Sequence, residues 1–197
     1  MTSDYHHGDL RRAVLERAVS VIGSDGPEAF SLRSLAHDLG VSHTAPRHHF
    51  GDRRGVLTAV AAEGFELLAG ALATVRREVG SFLDQGVAYV RFAGEHPAHF
   101  RVMFAPALLD EDDAAFSAAR AATFAELRAG VDAMSDGSDQ QDAAAAVIAA
   151  WALVHGIATL GASGNLDASD LRALVGGGDL ESITRRSAAL LGGSPRV

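Results

Sequence analysis

Projected at about 100° per residue, the stretch from Ser42 to Phe50 puts Thr44, Arg47 and His48 on one side and Pro46 and Phe50 on the other. His43 and His49 fall at the flanks. The outward side therefore consists of hydrogen-bonding groups with no carboxylate among them, a face that can donate to base edges and phosphate oxygens without repelling them. Pro46 constrains the reading, because proline inside a helix deletes a hydrogen bond and collides with the residue four back. With Ser42 as N-cap, Pro46 is the fourth helical residue, and the forfeited bond is one to the cap's own carbonyl at the helix margin.

A second element must hold this face. Ser31 is placed to cap a helix whose Leu32, Leu35, Ala36 and Leu39 recur at i, i+3, i+4 and i+7. Gly40 ends it, since glycine takes the left-handed conformation a C-terminal cap needs. Val41 adds an apolar residue in the turn. Two short helices joined across a few residues have the layout of a helix-turn-helix, over 31–50, whose second helix enters the major groove.

Other chemistry is weaker. His6-His7 and His48-His49 are adjacent, so on a helix each pair points about 100° apart and does not readily chelate one ion. His96 and His99 flank Pro97 and suit capping or surface roles; no metal and no cofactor are expected. Trp151 and His155 share a helix face. With Phe92, Phe100, Met103 and Phe104 they form either core or the lining of a small-molecule pocket, with few charges to match anything but a neutral or apolar ligand. The chain has no P-loop, no dinucleotide-binding glycine motif behind a strand, no HExxH and no nucleophile elbow, so an enzyme is not expected.

Composition bounds these readings. The 197 residues are 48% apolar, enough for a sizeable core, and contain no cysteine, which fits a reducing compartment. The first twelve residues contain no apolar signal region. The Ala-rich segment Ala143 to Ala162 comes nearest to a membrane span, but its His155, Thr159 and glycines mark it as a buried helix. No membrane partner is expected, and the expected location is cytoplasmic. Net charge is −8, unevenly spread: residues 1–55 balance seven arginines against seven acids and hold six of the nine histidines. A neutral, His-rich head on an acidic body suits a head that approaches phosphate while the body stays away.

Periodicity predicts helices throughout and no strand. They fall at 9–23, 31–39, 42–50, 53–78, 81–95, in AHFRVMF after Pro97, at 112–134, 141–161, near 169–175 and at 179–191, with SDGSDQQ as a loop. The expected fold is all-α with about nine or ten helices. It has a DNA-binding head at 8–68 and an effector-binding and dimerisation domain at 79–193.

Residues 8–68 resemble the DNA-binding domain of the TetR family of bacterial transcriptional regulators, through SLRSLAHDLGVS, the aromatic-ended second helix and GDRRGVLTAV. Trp151 with His155-Gly156, together with YVRFAGEHPAHFRVMF, is similar to the subgroup named for a Trp-His-Gly motif. The resemblance implies a homodimer that reads a near-palindromic operator, usually as a repressor released by a small molecule. It assigns DNA contacts to Arg33, His43, Thr44, Ala45, Arg47, His49 and Arg53, the last as phosphate anchor; His48, on the outward face, and the capping Ser31 are candidates beside them. Arg47 and Pro46 depart from the family's usual Tyr and Leu, so base and phosphate both stay open for Arg47. Pairing is expected through the small residues of the helices at 141–161 and 179–191, setting the recognition helices roughly 34–36 Å apart. The competing reading is a helical ligand-binding or adaptor protein without DNA activity.

Overall fold

The apolar spacings fold as helices in a computed structural model that describes residues 7–78, 80–132, 140–168, 170, 173 and 176–192. In chain order these are α1 (His7–Asp25), α2 (Leu32–Asp38), α3 (Ala45–Phe50), α4 (Arg53–Glu78), α5 (Phe82–Glu95) and α6 (Pro97–Met103). A 3-10 turn at Pro106–Leu108 leads to α7 (Ala114–Asp132), α8 (Gln140–Ala162), α9 (Asn165–Ala168) and α10 (Leu180–Gly192). Among the described residues there is no strand, and the fold is all-α. Most of the expected helix near 169–175 and most of the expected SDGSDQQ loop lie outside the described residues.

The chain forms two compact units. The first holds the described residues through Glu66 together with His96–Arg120. Its core is the apolar stripe of α1 (Leu10, Val14, Ala18, Ile22) with Leu35 and Ala36 of α2 and Val56, Leu57, Val60 and Phe65 of α4. Phe100 and Met103 of α6 and Phe116 of α7 are buried in the same unit. Phe65 stands edge-on to Phe104 and to Phe116, and Phe100 packs on Phe104.

Side-chain bonds to backbone tie residues 96–120 to the first helices. Arg54 Nε donates to the Leu109 carbonyl at 2.7 Å, and Arg101 donates to the Ile22 carbonyl near the end of α1 at 3.1 Å. The Thr58 hydroxyl accepts the Asp110 N–H at 2.9 Å. The Asp110 N–H and the Leu109 carbonyl lie in a turn, where backbone groups need such partners, while the Ile22 carbonyl also accepts the Gly26 N–H.

The second unit holds Leu67–Glu95 and the described residues from Ala121 onward. Here α8 lies against α5 and α10. Val87, Tyr89, Val90 and Phe92 of α5 are buried, as are Val154, Ile157 and Ala158 of α8 and Ile183 and Thr184 of α10. Arg91 to Glu181 and Arg185 to Asp84, both at 2.6 Å, bridge α5 and α10, and Arg91 holds the Glu181 carboxyl below its ordinary range.

The Ala-rich helix corrects an expectation. It is not buried within the chain: only 17% of its most apolar window is covered, and Ile148 is 64% exposed. A helix apolar all round needs cover on every side, whereas α8 is covered along one. By length and composition both Ala144–Ala162 and Arg53–Glu78 could cross a membrane, but the second is mostly buried in the fold.

Candidate nucleic-acid interface

Local bonds fix the turn between α2 and α3. The Ser31 hydroxyl accepts the Ser34 N–H at 3.0 Å while the Ser34 hydroxyl accepts the Ser31 N–H at 2.9 Å, a reciprocal cap. At the other end Gly40 has φ +65°, with its N–H on the His37 carbonyl and the Val41 N–H on the Ala36 carbonyl. These two bonds form a Schellman motif, which explains glycine at this position.

The second helix starts later than its capping serine implies. The Ser42 hydroxyl meets the Thr44 hydroxyl at 2.8 Å and accepts weakly from the Thr44 N–H, while the Ser42 carbonyl takes the Ala45 N–H at 2.9 Å. A tight turn thus occupies 43–44, and α3 runs from Ala45. Pro46 is its second residue, not its fourth, a position where no intrahelical N–H is needed and the ring's fixed φ suits the first turn.

The predicted faces separate as drawn. Pro46 is buried and Phe50 half-buried, while His43, Thr44, Arg47 and His48 are exposed. Ala45 and His49 are half-buried, and Arg33 is exposed on α2. Ser31 is exposed, with its hydroxyl engaged in the cap.

Arg53 is placed differently from the other candidates. Its guanidinium reaches back to the α1–α2 turn, donating to the Pro27 carbonyl and, at 2.8 Å, to Glu28, and lies over the Phe30 ring. Its Nε is buried without a hydrogen-bond partner among the described residues.

The joint between α3 and α4 carries a residue that the sequence reading missed. Gly51 has φ +71° and its N–H bonds the Arg47 carbonyl at 2.9 Å. Asp52 caps α4 by accepting the Gly55 N–H at 3.0 Å. The chain approaches itself so closely that a Cβ on Gly55 would lie 1.9 Å from the Phe50 carbonyl oxygen. The available signal was only a glycine in the first turn of a helix, where glycine is otherwise unfavourable.

The six candidate pocket residues fall in both units. Phe100, Met103 and Phe104 pack in the first; Phe92, Trp151 and His155 belong to the second. There the sequence reading missed Tyr89 and Phe124. Trp151 Nε1 donates to the Tyr89 oxygen at 3.4 Å, and that oxygen lies 2.9 Å from His155 Nδ1. Phe124 stands edge-on to the Trp151 ring at 5.3 Å. Burial pushes the Tyr89 hydroxyl well above the usual phenol range, and burial lowers His155 from its ordinary value. Near neutral pH the tyrosine keeps its proton, and the hydroxyl can donate to Nδ1 or accept from it according to the histidine tautomer. The group is polar but uncharged, with aromatic walls.

The family model described as tetracyclin repressor-like, C-terminal domain, matches residues 82–175. No curated protein sequence matches the chain. Among solved structures, a protein with unknown function from Rhodococcus sp. RHA1 is 33% identical, at TM-score 0.77 over 96% of both chains. The TetR family transcriptional regulator PfmR from Thermus thermophilus is 22% identical, at TM-score 0.65 over 90% of this chain and 95% of that one. A bacterial regulatory protein in the tetR family from Rhodococcus RHA1 is 19% identical, at TM-score 0.60 over 76% and 83%. The C-terminal region thus matches the tetracyclin repressor-like domain, and the chain has the fold of these TetR family regulators.

Proposed function

We propose that this protein is a dimeric, cytoplasmic, sequence-specific DNA-binding regulator, and that it acts as a repressor released by a small, neutral, largely apolar molecule. The observation that carries this reading is the outward face of 42–50, where His43, Thr44, Arg47 and His48 are exposed around a buried Pro46 and no carboxylate intervenes. Arg33, His43, Thr44, Ala45, Arg47, His48 and His49 make the contacts to bases and phosphates, and Ser31 serves through its cap. The head spans 8–68 and the effector domain 79–193, except that residues 96–120 belong to the compact unit of the head. Tyr89, Trp151 and His155, with Phe92 buried in the same unit, are the proposed effector contacts.

Full-length protein incubated with random duplexes is expected to enrich a near-palindromic sequence. Two exposed interface arginines per protomer, four per dimer, imply that affinity drops about a hundredfold between 50 and 200 mM salt. Binding that is absent, or indifferent to salt, would leave the adaptor reading in its place.

The dimer surface we propose is the open side of α8 with α10. Ile148, Leu160 and Leu190 are 64%, 43% and 82% exposed, amid exposed alanines at 144, 145, 146, 149 and 152. Exposed large apolar residues of this kind suit an interaction site, and the small side chains admit a close helix partner. Ile148→Glu is expected to convert a sedimenting dimer to monomer at micromolar concentration and to weaken operator binding with it. A wild-type monomer, or a variant that stays dimeric, would place the interface elsewhere.

A further inference from the structure

All seventeen basic residues of the chain are arginines, so arginine supplies every fixed positive side-chain charge. In the first unit most of them are already engaged. Arg17 pairs with Asp38 at 2.8 Å, Arg53 with Glu28 at 2.8 Å and Arg120 with Glu111 at 2.6 Å. Arg12 lies 3.6 Å from Glu16, and Arg54 and Arg101 are spent on backbone carbonyls. Among the described residues of this unit Arg11, Arg33 and Arg47 form no ion pair. Arg33 and Arg47 lie on the two helices of the motif; Arg11 belongs to α1.

The fold brings Arg11 against the last residue of α3. Its guanidinium lies over the Phe50 ring, 5.5 Å from the centroid, at the C-terminal end of α3, and the residue is exposed. A recognition helix in the major groove has a phosphate strand along each side, so a cation fixed beside its end faces backbone oxygens. Stacking on an aromatic ring holds the planar guanidinium in place while leaving its edge N–H groups to donate.

We propose that Arg11 is a phosphate contact of the DNA-bound protein, and that Arg53 is instead the brace of the α1–α2 turn. This rests on α3 being the recognition helix. The expected phosphate footprint is Arg11 and Arg33, with Arg47 left to face base edges and Arg53 neutralised by Glu28.

The test compares full-length wild type with Arg11→Ala, Arg11→Lys, Arg53→Ala and Arg47→Ala on operator and random duplexes across salt concentrations, with thermal melting as the check on folding. Arg11→Ala is expected to weaken both duplexes by the same factor, on the order of tenfold, and to make the slope of log affinity against log salt shallower by about 1.8 for a dimer losing two contacts. Arg11→Lys is expected to keep the slope, since a phosphate contact needs the charge. Arg53→Ala is expected to lower the melting temperature and leave the slope alone. Arg11→Ala with an unchanged slope while Arg47→Ala still weakens operator binding would overturn the proposal and spare the DNA reading. A slope lost equally in Arg11→Lys, or lost in Arg53→Ala, would overturn it too. Failure of wild type to bind either duplex would instead defeat the reading on which it rests.

Discussion

Gly55→Ala is expected to cost at least about 100-fold in operator affinity, equivalent to losing two base contacts at roughly 1–3 kcal/mol each, while the chain stays helical. The new Cβ would stand 1.9 Å from the Phe50 carbonyl oxygen and 3.0 Å from its carbon. Both are backbone atoms, so no side-chain rotation relieves the clash, and either the last turn of α3 or the first turn of α4 must move. The joint has little freedom to absorb this. Gly51 N–H is bound to the Arg47 carbonyl, Asp52 N–H lies 2.8 Å from the Phe50 carbonyl, and Asp52 caps the Gly55 N–H. On the α4 side, Val56, Leu57 and Val60 are wholly buried, whereas α3 contributes only Pro46 to the buried set. The less anchored helix yields, and it is the one that reads DNA. Overpacking of this kind also costs about 1–3 kcal/mol of stability. Gly70→Ala is the comparison: nothing lies within 4 Å of its added methyl, so it is expected to be neutral or stabilising by up to about 1 kcal/mol with full operator binding. Operator titration beside thermal melting decides; wild-type affinity in Gly55→Ala would refute the positioning role.

Gly55 also shows where the sequence stops being legible. Spacing identifies which side of a helix is apolar, and it placed Leu35 and Ala36 of α2 and the stripe of α1 in the core. Turn chemistry was equally readable, since Gly40 and Ser31 act through local bonds between residues three to five apart. What covers an apolar side is a separate question. Nothing in the periodicity of α6 said that residues 96–120 join the first helices, because that union depends on Arg54, Arg101 and Thr58 reaching backbone groups more than fifty residues away. Arg53 is the same case: one residue type serves a phosphate or a turn carbonyl, and only the proximity of Pro27 and Glu28 separates the two. The Ala-rich α8 was misplaced because composition reports the wish for cover and not its source.

The later start of α3 also narrows the role of Arg47. Counting from Ser42 would put it fifth, past the first turn; counting from Ala45 puts it third, exposed and without an ion pair among the described residues. Residues near the N-terminus of a recognition helix face base edges, and guanidinium matches the O6 and N7 acceptors of guanine in a bidentate pair. Arg47→Ala is therefore expected to lower operator affinity by about 1–3 kcal/mol, roughly 5- to 150-fold, with a much smaller loss on random duplex. Sequence selection with the variant should then relax at one symmetric pair of positions that wild type holds as guanine. Arg47→Lys is expected to recover binding to random duplex but not the guanine preference, because an ammonium is a point charge without the paired donors. Equal losses on operator and random duplex would reassign Arg47 to phosphate, and unchanged affinity at moderate salt would remove it from the interface. The contrast with Arg11 makes the two outcomes readable together: one arginine should move the salt slope on all DNA, the other the ratio between sequences.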